Sequence, residues 1–272
     1  MDSKPRNAAF SLVELSIVLV ILGLLTGGIL TGQSLIRAAE LRSVVTEFQR
    51  YQTAAQSFRD KYFAIPGDMR NASTFWGAAG GTTGSDAACY QSGTGTGTAT
   101  CNGDGDGKID TTVTASGYGE QFMVWQHMAN AGLIEGSYTG RDGAGIDTDD
   151  SIPGSNIPRS RASNAAWNSD HLDYSSSSHS TIYAINYGNA LYIGGQNNTG
   201  DADVPILTPE EAWNIDTKLD DGKPAYGKVI ARYYNNSCSA ADNNSHTATN
   251  FAASYKLADS SKTCILFFKN TF

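Results

Sequence analysis

The sequence predicts an α+β fold: a long N-terminal α-helix packed on an antiparallel β-sheet, with long loops between the elements. Three observations carry that prediction. Residues 10–63 run without a proline and show helical periodicity in their second half. Alternating runs of the strand type appear in the C-terminal part, at residues 180–195, 228–234 and 263–269. Stretches rich in Gly, Ser, Thr and Asn, notably 77–107 and 136–178, read as surface loops. The chain of 272 residues divides into a leader, 1–9, a transmembrane helix, 10–30, an amphipathic helix continuing from it, 31–65, and one globular domain, 66–272.

The first element is decided by residues 7–30, NAAFSLVELSIVLVILGLLTGGIL. A polar leader ends at Ala9, and an apolar run fills residues 10–30, broken by one carboxylate, Glu14. At ~1.5 Å per helical residue that run crosses a bilayer. A charge inside a membrane segment costs roughly 2.5 kcal/mol or more, so Glu14 calls for a function. A cleaved secretory signal has a shorter apolar core and its small-residue site after that core; here the small residue precedes a longer run. A plain single-pass anchor needs no Glu14. Lys4 and Arg6 outweigh Asp2, which keeps the leader cytoplasmic and puts the body in the periplasm or beyond.

The order Ala9, Phe10, Ser11, Leu12, Val13, Glu14, Leu15 after a short basic leader resembles the N-terminus of the type IV pilins and of the pseudopilins of type II secretion. The resemblance covers the N-terminal helix well and the rest loosely, with NIDTKLDDGKPAYGKV a weaker echo in the body. It implies a pilin-like fold and cutting by a prepilin peptidase between Ala9 and Phe10, with methylation of the new amine. Ala9 stands where the family usually has Gly. It also implies that Glu14 pairs with the positive N-terminus of an adjacent subunit, which agrees with the rule that a buried charge is tolerable only when paired. The implied role is structural: a minor pilin or pseudopilin, anchored in the inner membrane, then assembled into a filament. The implied partners are other pilin or pseudopilin subunits, the prepilin peptidase and an inner-membrane assembly platform.

Net charge is −8, which argues against non-specific binding to nucleic-acid phosphates. The four cysteines suit an oxidising compartment and allow three connectivities. Cys89 with Cys101 and Cys238 with Cys264 are favoured, because each pair is close along the chain and flanks one loop region. A CxxC pair, which a zinc site would ask for, is lacking.

Beyond the membrane span, Leu41, Val45, Phe48, Ala55, Phe58 and Tyr62 form a helical stripe that ends at Pro66-Gly67. Gly23, Gly27, Gly28 and Gly32 weaken the helix midway, each by about 1 kcal/mol relative to Ala. They read equally as a place to bend and as small residues for close helix packing. In the Gly-rich loop, Asn102-Gly-Asp104-Gly-Asp106-Gly107-Lys108-Ile109-Asp110 matches the first nine positions of an EF-hand calcium loop. Candidate Ca²⁺ ligands are Asn102, Asp104, Asp106, the Lys108 carbonyl and Asp110. Val113 replaces the bidentate Glu of position twelve, so Glu120, Asp86 or water would have to complete the shell. The alternative is a run of Asx and Gly turns in water. A phosphate loop is rejected, since Ile109 stands where Ser or Thr belongs and the acids would repel phosphate.

Residues 119–134 predict a short amphipathic helix with Phe122, Trp125, Met128 and Ala129 inward and His127 solvated off that face. Residues 136–178 read as a polar loop segment in which Asp147, Asp149 and Asp150 are by default solvated, with ion binding the alternative. In STIYAINYGNALYIGG, two alternating runs flank Gly188-Asn189, a hairpin signal. Thr208-Pro209-Glu210-Glu211 opens a helix with Thr as N-cap, buries Ala212, Ile215 and Leu219, and closes at Asp220-Asp221-Gly222, where turn capping is favoured over a second ion site. Metalloprotease, nucleophile-elbow, phosphate-loop and dinucleotide motifs are all missing, and the four histidines are scattered. A non-enzymatic subunit is therefore expected. The other classes are an anchored binding module or adhesin with a calcium-stabilised loop, and a tethered hydrolase with an unmarked carboxylate pair.

Overall fold

The structure, a computed structural model, describes residues 12–80, 85, 89, 97–110, 119–141, 151–175, 182–197, 200–231, 237–240 and 251–272. Its elements are α1 (Leu12–Tyr62), α2 (Ala72–Trp76), α3 (Glu120–Asn130), β1 (Ala165–Asp173), β2 (Asn186–Gly195), α4 (Pro209–Leu219), β3 (Val229–Ala231) and β4 (Leu266–Phe268). The four strands form one antiparallel sheet in the order β1-β2-β4-β3. The long helix on an antiparallel sheet is the expected α+β layout.

α1 is one unbroken helix of 51 residues, ~77 Å long at 1.5 Å per residue. It continues through all four glycines, and a Cβ at Gly23, Gly27, Gly28 or Gly32 would meet nothing within 4 Å. Its first half is apolar and exposed, and is long and apolar enough to cross a membrane. Its second half buries Val44, Glu47, Tyr51, Ala54, Ala55 and Phe58 against the domain. That period of about 3.5 keeps one stripe inward. Phe48 stacks on Phe268 of β4 with centroids 4.2 Å apart, and Tyr51 meets Trp125 and Trp167 edge-on at 5.1 and 5.6 Å.

Where the exposed half of α1 gives way to the packed half, a clamp ties the helix to the domain. Arg37 donates from Nε and Nη2 to both Glu211 oxygens (2.5 and 2.7 Å), from Nη2 to the Ile206 carbonyl (3.0 Å), and from Nη1 to Glu40 (2.8 Å). Glu211 is also the capping-box residue of α4. Its backbone N–H donates to the Thr208 hydroxyl, and its carboxylate accepts from the Thr208 N–H. The paired guanidinium holds the Glu211 carboxyl below its ordinary range against the opposing pull of burial.

Two expectations are corrected here. Residues 165–173, taken as part of a polar loop, form β1. Both faces of β1 are covered, so the segment does not alternate in the way a half-exposed strand does. Its polar side chains are buried and bonded: Asn168 donates to Tyr192 Oη (3.1 Å), and Ser169 donates to the Gln121 carbonyl (2.8 Å). The second correction concerns Gly188-Asn189, which is not a hairpin turn but lies inside β2, paired with Leu172 and His171. Gly188, at φ +63°, sits beside the register shift at Leu172/Asp173, and a Cβ there would stand 2.1 Å from Asn270 Oδ1. The turn chemistry serves a bulge rather than a reversal.

The disulfides pair Cys89 with Cys101 and Cys238 with Cys264, as spacing favoured. β3 and β4 fall inside the predicted runs and are shorter; residues 232–234 of the first run lie outside the described residues. Asp220 accepts from the Lys228 and Val229 N–H groups and Asp221 from the Lys223 N–H, the turn-capping role read from sequence.

Candidate functional site

Two regions carry chemistry: the acidic loop and the N-terminal segment. The loop is laid against the chain just past α1. Gly103 N–H donates to the Met69 carbonyl at 2.9 Å, and a Cβ on Gly103 would lie 2.4 Å from Asp68 Cα, so only glycine fits this approach. Asp68 Oδ1 accepts from Gly105 N–H, and Oδ2 accepts from Gly107 N–H at 2.9 Å. Asp104 Oδ1 accepts from Asp106 N–H (3.0 Å), and Asp106 Oδ1 accepts from Lys108 N–H (2.8 Å). These successive Asx turns coil the loop. Glu120, the first residue of α3, closes it by accepting from Asp104 N–H (3.0 Å) and Asp110 N–H (3.1 Å).

The coil brings carboxylate oxygens of Asp104, Asp106 and Asp110 within 4.8 Å of one another, and likewise those of Asp68, Asp104 and Glu120. Burial pushes the Glu120 carboxyl up to about 8 and Asp68 up to about 6. Asp110 is raised as well, by burial first and then by Asp106 and Asp104. Asn102 does not turn into this group: its Oδ1 accepts from Ser73 N–H (2.8 Å) and its Nδ2 donates to Ser85 Oγ (3.0 Å). The Lys108 ammonium lies 3.9 Å from Asp106. Asp86 and Val113 fall outside the described residues, as do Asp147, Asp149 and Asp150.

Sequence reasoning missed Asp68, which no spacing connects to a loop far along the chain; its only local signal is the turn Pro66-Gly67 before it. It also misplaced His127. The imidazole is fully buried, accepting from Gly67 N–H at Nδ1 (3.0 Å) and facing Thr100 Oγ1 and the Cys101 carbonyl from Nε2 (3.1 and 3.2 Å). Burial lowers it to about 4, so it stays neutral at neutral pH. The helical wheel of α3 has no solvated side over residues 120–128, because loop 97–103 covers the face opposite the core.

At the other end, Glu14 lies in the first turn of α1 on an exposed surface, between Val13 (64% exposed) and Leu15 (54%). Ala9 and Phe10 lie outside the described residues. Residues 4–30 match the family model described as the prokaryotic N-terminal methylation motif. The N-terminus carries the prepilin-type signal. That signal, on a helix that leads out of an apolar span into an α+β domain, supports a type IV pilin-like or pseudopilin subunit, a structural protein held in a membrane by the same helix. The match is confined to the prepilin-type segment. No curated protein and no solved structure matches the chain.

Proposed function

We propose that the chain is a minor pilin or pseudopilin, a subunit of a type IV pilus or of a type II secretion pseudopilus. In this reading the prepilin peptidase cuts between Ala9 and Phe10, and an inner-membrane platform moves the subunit into a filament whose globular domains lie in the periplasm or outside. One observation carries the reading: a carboxylate, Glu14, the fifth residue after the cut, on a helix whose apolar side chains from Leu12 to Ile36 find no cover in their own domain. Mass spectrometry of the mature N-terminus tests it. A methylated Phe10 is the expected first residue, and an intact Met1 on the membrane-extracted protein would refute processing.

We further propose that the acidic loop holds Ca²⁺. The donor set suits a hard cation: carboxylate oxygens of Asp104, Asp106 and Asp110 converge, with the Lys108 carbonyl proposed as a further ligand, whereas Asn102 is turned away toward Ser73 and Ser85. Bound Ca²⁺ would supply the charge that three close carboxylates lack, and the Cys89–Cys101 bridge would hold the incoming strand beside Asn102. A calcium-dependent rise in melting temperature is expected for the wild-type chain and none for Asp104→Ala. A rise that survives Asp104→Ala would show that the ligands lie elsewhere.

A further inference from the structure

Two local rules are broken together at Phe63. Its φ is +54°, a left-handed conformation that bulky side chains adopt at a cost. Its side chain is 94% exposed. The left-handed turn itself is ordinary: Phe63 N–H donates to the Arg59 carbonyl at 2.8 Å and so stops α1. Glycine is the residue that suits this place. A phenylalanine here adds strain and exposed apolar surface with little packing in return, and such inconsistencies concentrate at functional sites.

Phe63 stands on the rim of a cleft of about 850 Å³ at the end of α1 remote from the membrane span. Beside it Tyr62 lines the wall, and Phe75, 55% exposed, meets Tyr62 edge-on at 5.3 Å. The polar wall carries two amides, Gln56 and Asn71, and a balanced set of charges, Arg59 and Arg70 with Asp60 and Asp68. Part of that wall is fixed in advance. Arg70 donates to the Asp104 carbonyl at 2.5 Å, and Asp68 is held by Gly105 and Gly107.

We propose that this cleft binds a neutral saccharide. Exposed rings offer flat apolar faces to the C–H side of a sugar. Planar amide, carboxylate and guanidinium groups offer paired donors and acceptors to adjacent hydroxyls. Equal numbers of positive and negative groups favour neither a polyanion nor a cation. The site lies at the opposite end of α1 from Glu14 and would give the subunit an adhesive function whether or not it enters a filament.

The test uses the full chain in detergent, passed over immobilised neutral oligosaccharides of hexose and N-acetylhexosamine units. Retention on at least one is expected. Phe63→Gly should weaken it about tenfold or more while the melting temperature stays level or rises, because glycine relieves the left-handed strain. Asn71→Ala should also weaken retention without unfolding, since the Asn71 side chain makes no cap bond to α2. Retention on none of the glycans, or undiminished retention by both variants, would overturn the proposal. So would a Phe63→Gly chain that keeps its glycans but no longer self-associates, which would make the ring a contact between copies.

Discussion

Glu14→Ala is expected to leave the chain stable in the membrane and to reduce filament yield to background. The substitution removes a charge from an apolar span, so insertion becomes easier by roughly 2.5 kcal/mol or more. What it removes from the filament is the proposed partner of the neighbouring subunit's N-terminal amine. An ammonium left in an apolar bundle without its carboxylate costs ~3 kcal/mol or more per contact, about a hundredfold in each association step. Repeated along a fibre, that loss leaves no polymer. The measurement is filament yield by electron microscopy beside membrane-fraction immunoblotting of the same cells. Wild-type yield from the alanine chain would refute the role, whereas Glu14→Asp should retain part of it.

The largest stability effect is expected at Glu47. This carboxylate sits on the inward stripe of α1, 9% exposed. It accepts from Ser160 Oγ (2.6 Å), Arg161 N–H (2.9 Å) and Trp167 Nε1 (2.8 Å). Three donors from the edge of the sheet thus converge on one side chain of the helix. Glu47→Ala strands them in a poorly solvated joint, at roughly 1–3 kcal/mol for each donor left unmet, so a total loss of ~3 kcal/mol or more is expected. For a domain of this size that lowers Tm by about 10 °C. Glu47→Gln keeps one acceptor oxygen and should fall between. Thermal melting of the detergent-solubilised chain reads the difference; an unchanged alanine variant would show that the joint is held by the aromatic contacts alone.

How far the molecule was legible depends on how local each signal was. The long helix, the Thr208 capping box and the acidic coil all rest on residues within a few positions of one another, and all three appear where the sequence put them. β1 was hidden because alternation marks a strand with one wet face, and this strand has none. His127 was misplaced because a helical wheel compares a helix with one core, while α3 is covered on two sides. Nothing local marked what Glu47 and Asp68 bond to: their donors lie far away along the chain, at Ser160 to Trp167 and at Gly105 and Gly107. For the acidic loop, the short spacing of Asp104, Asp106 and Asp110 agrees with the nearness of their carboxylates, and the buried turn of Asn102 toward Ser73 was not foreseen.

Neither disulfide touches α1, since all four cysteines lie beyond it. Among the described residues the domain is therefore fastened to its shaft, apart from the chain running on through Ile65 and Pro66, by contacts of the side chains of α1. From Arg37 to Phe58 those contacts span ~32 Å of helix, lying parallel to the direction in which a filament would be pulled. Tension along the shaft then loads the Arg37 clamp, the Glu47 joint and the Phe48–Phe268 stack in shear, all at once, rather than peeling them apart one after another. A subunit attached in this way resists axial force far better than force applied across the shaft, and it should yield sideways first.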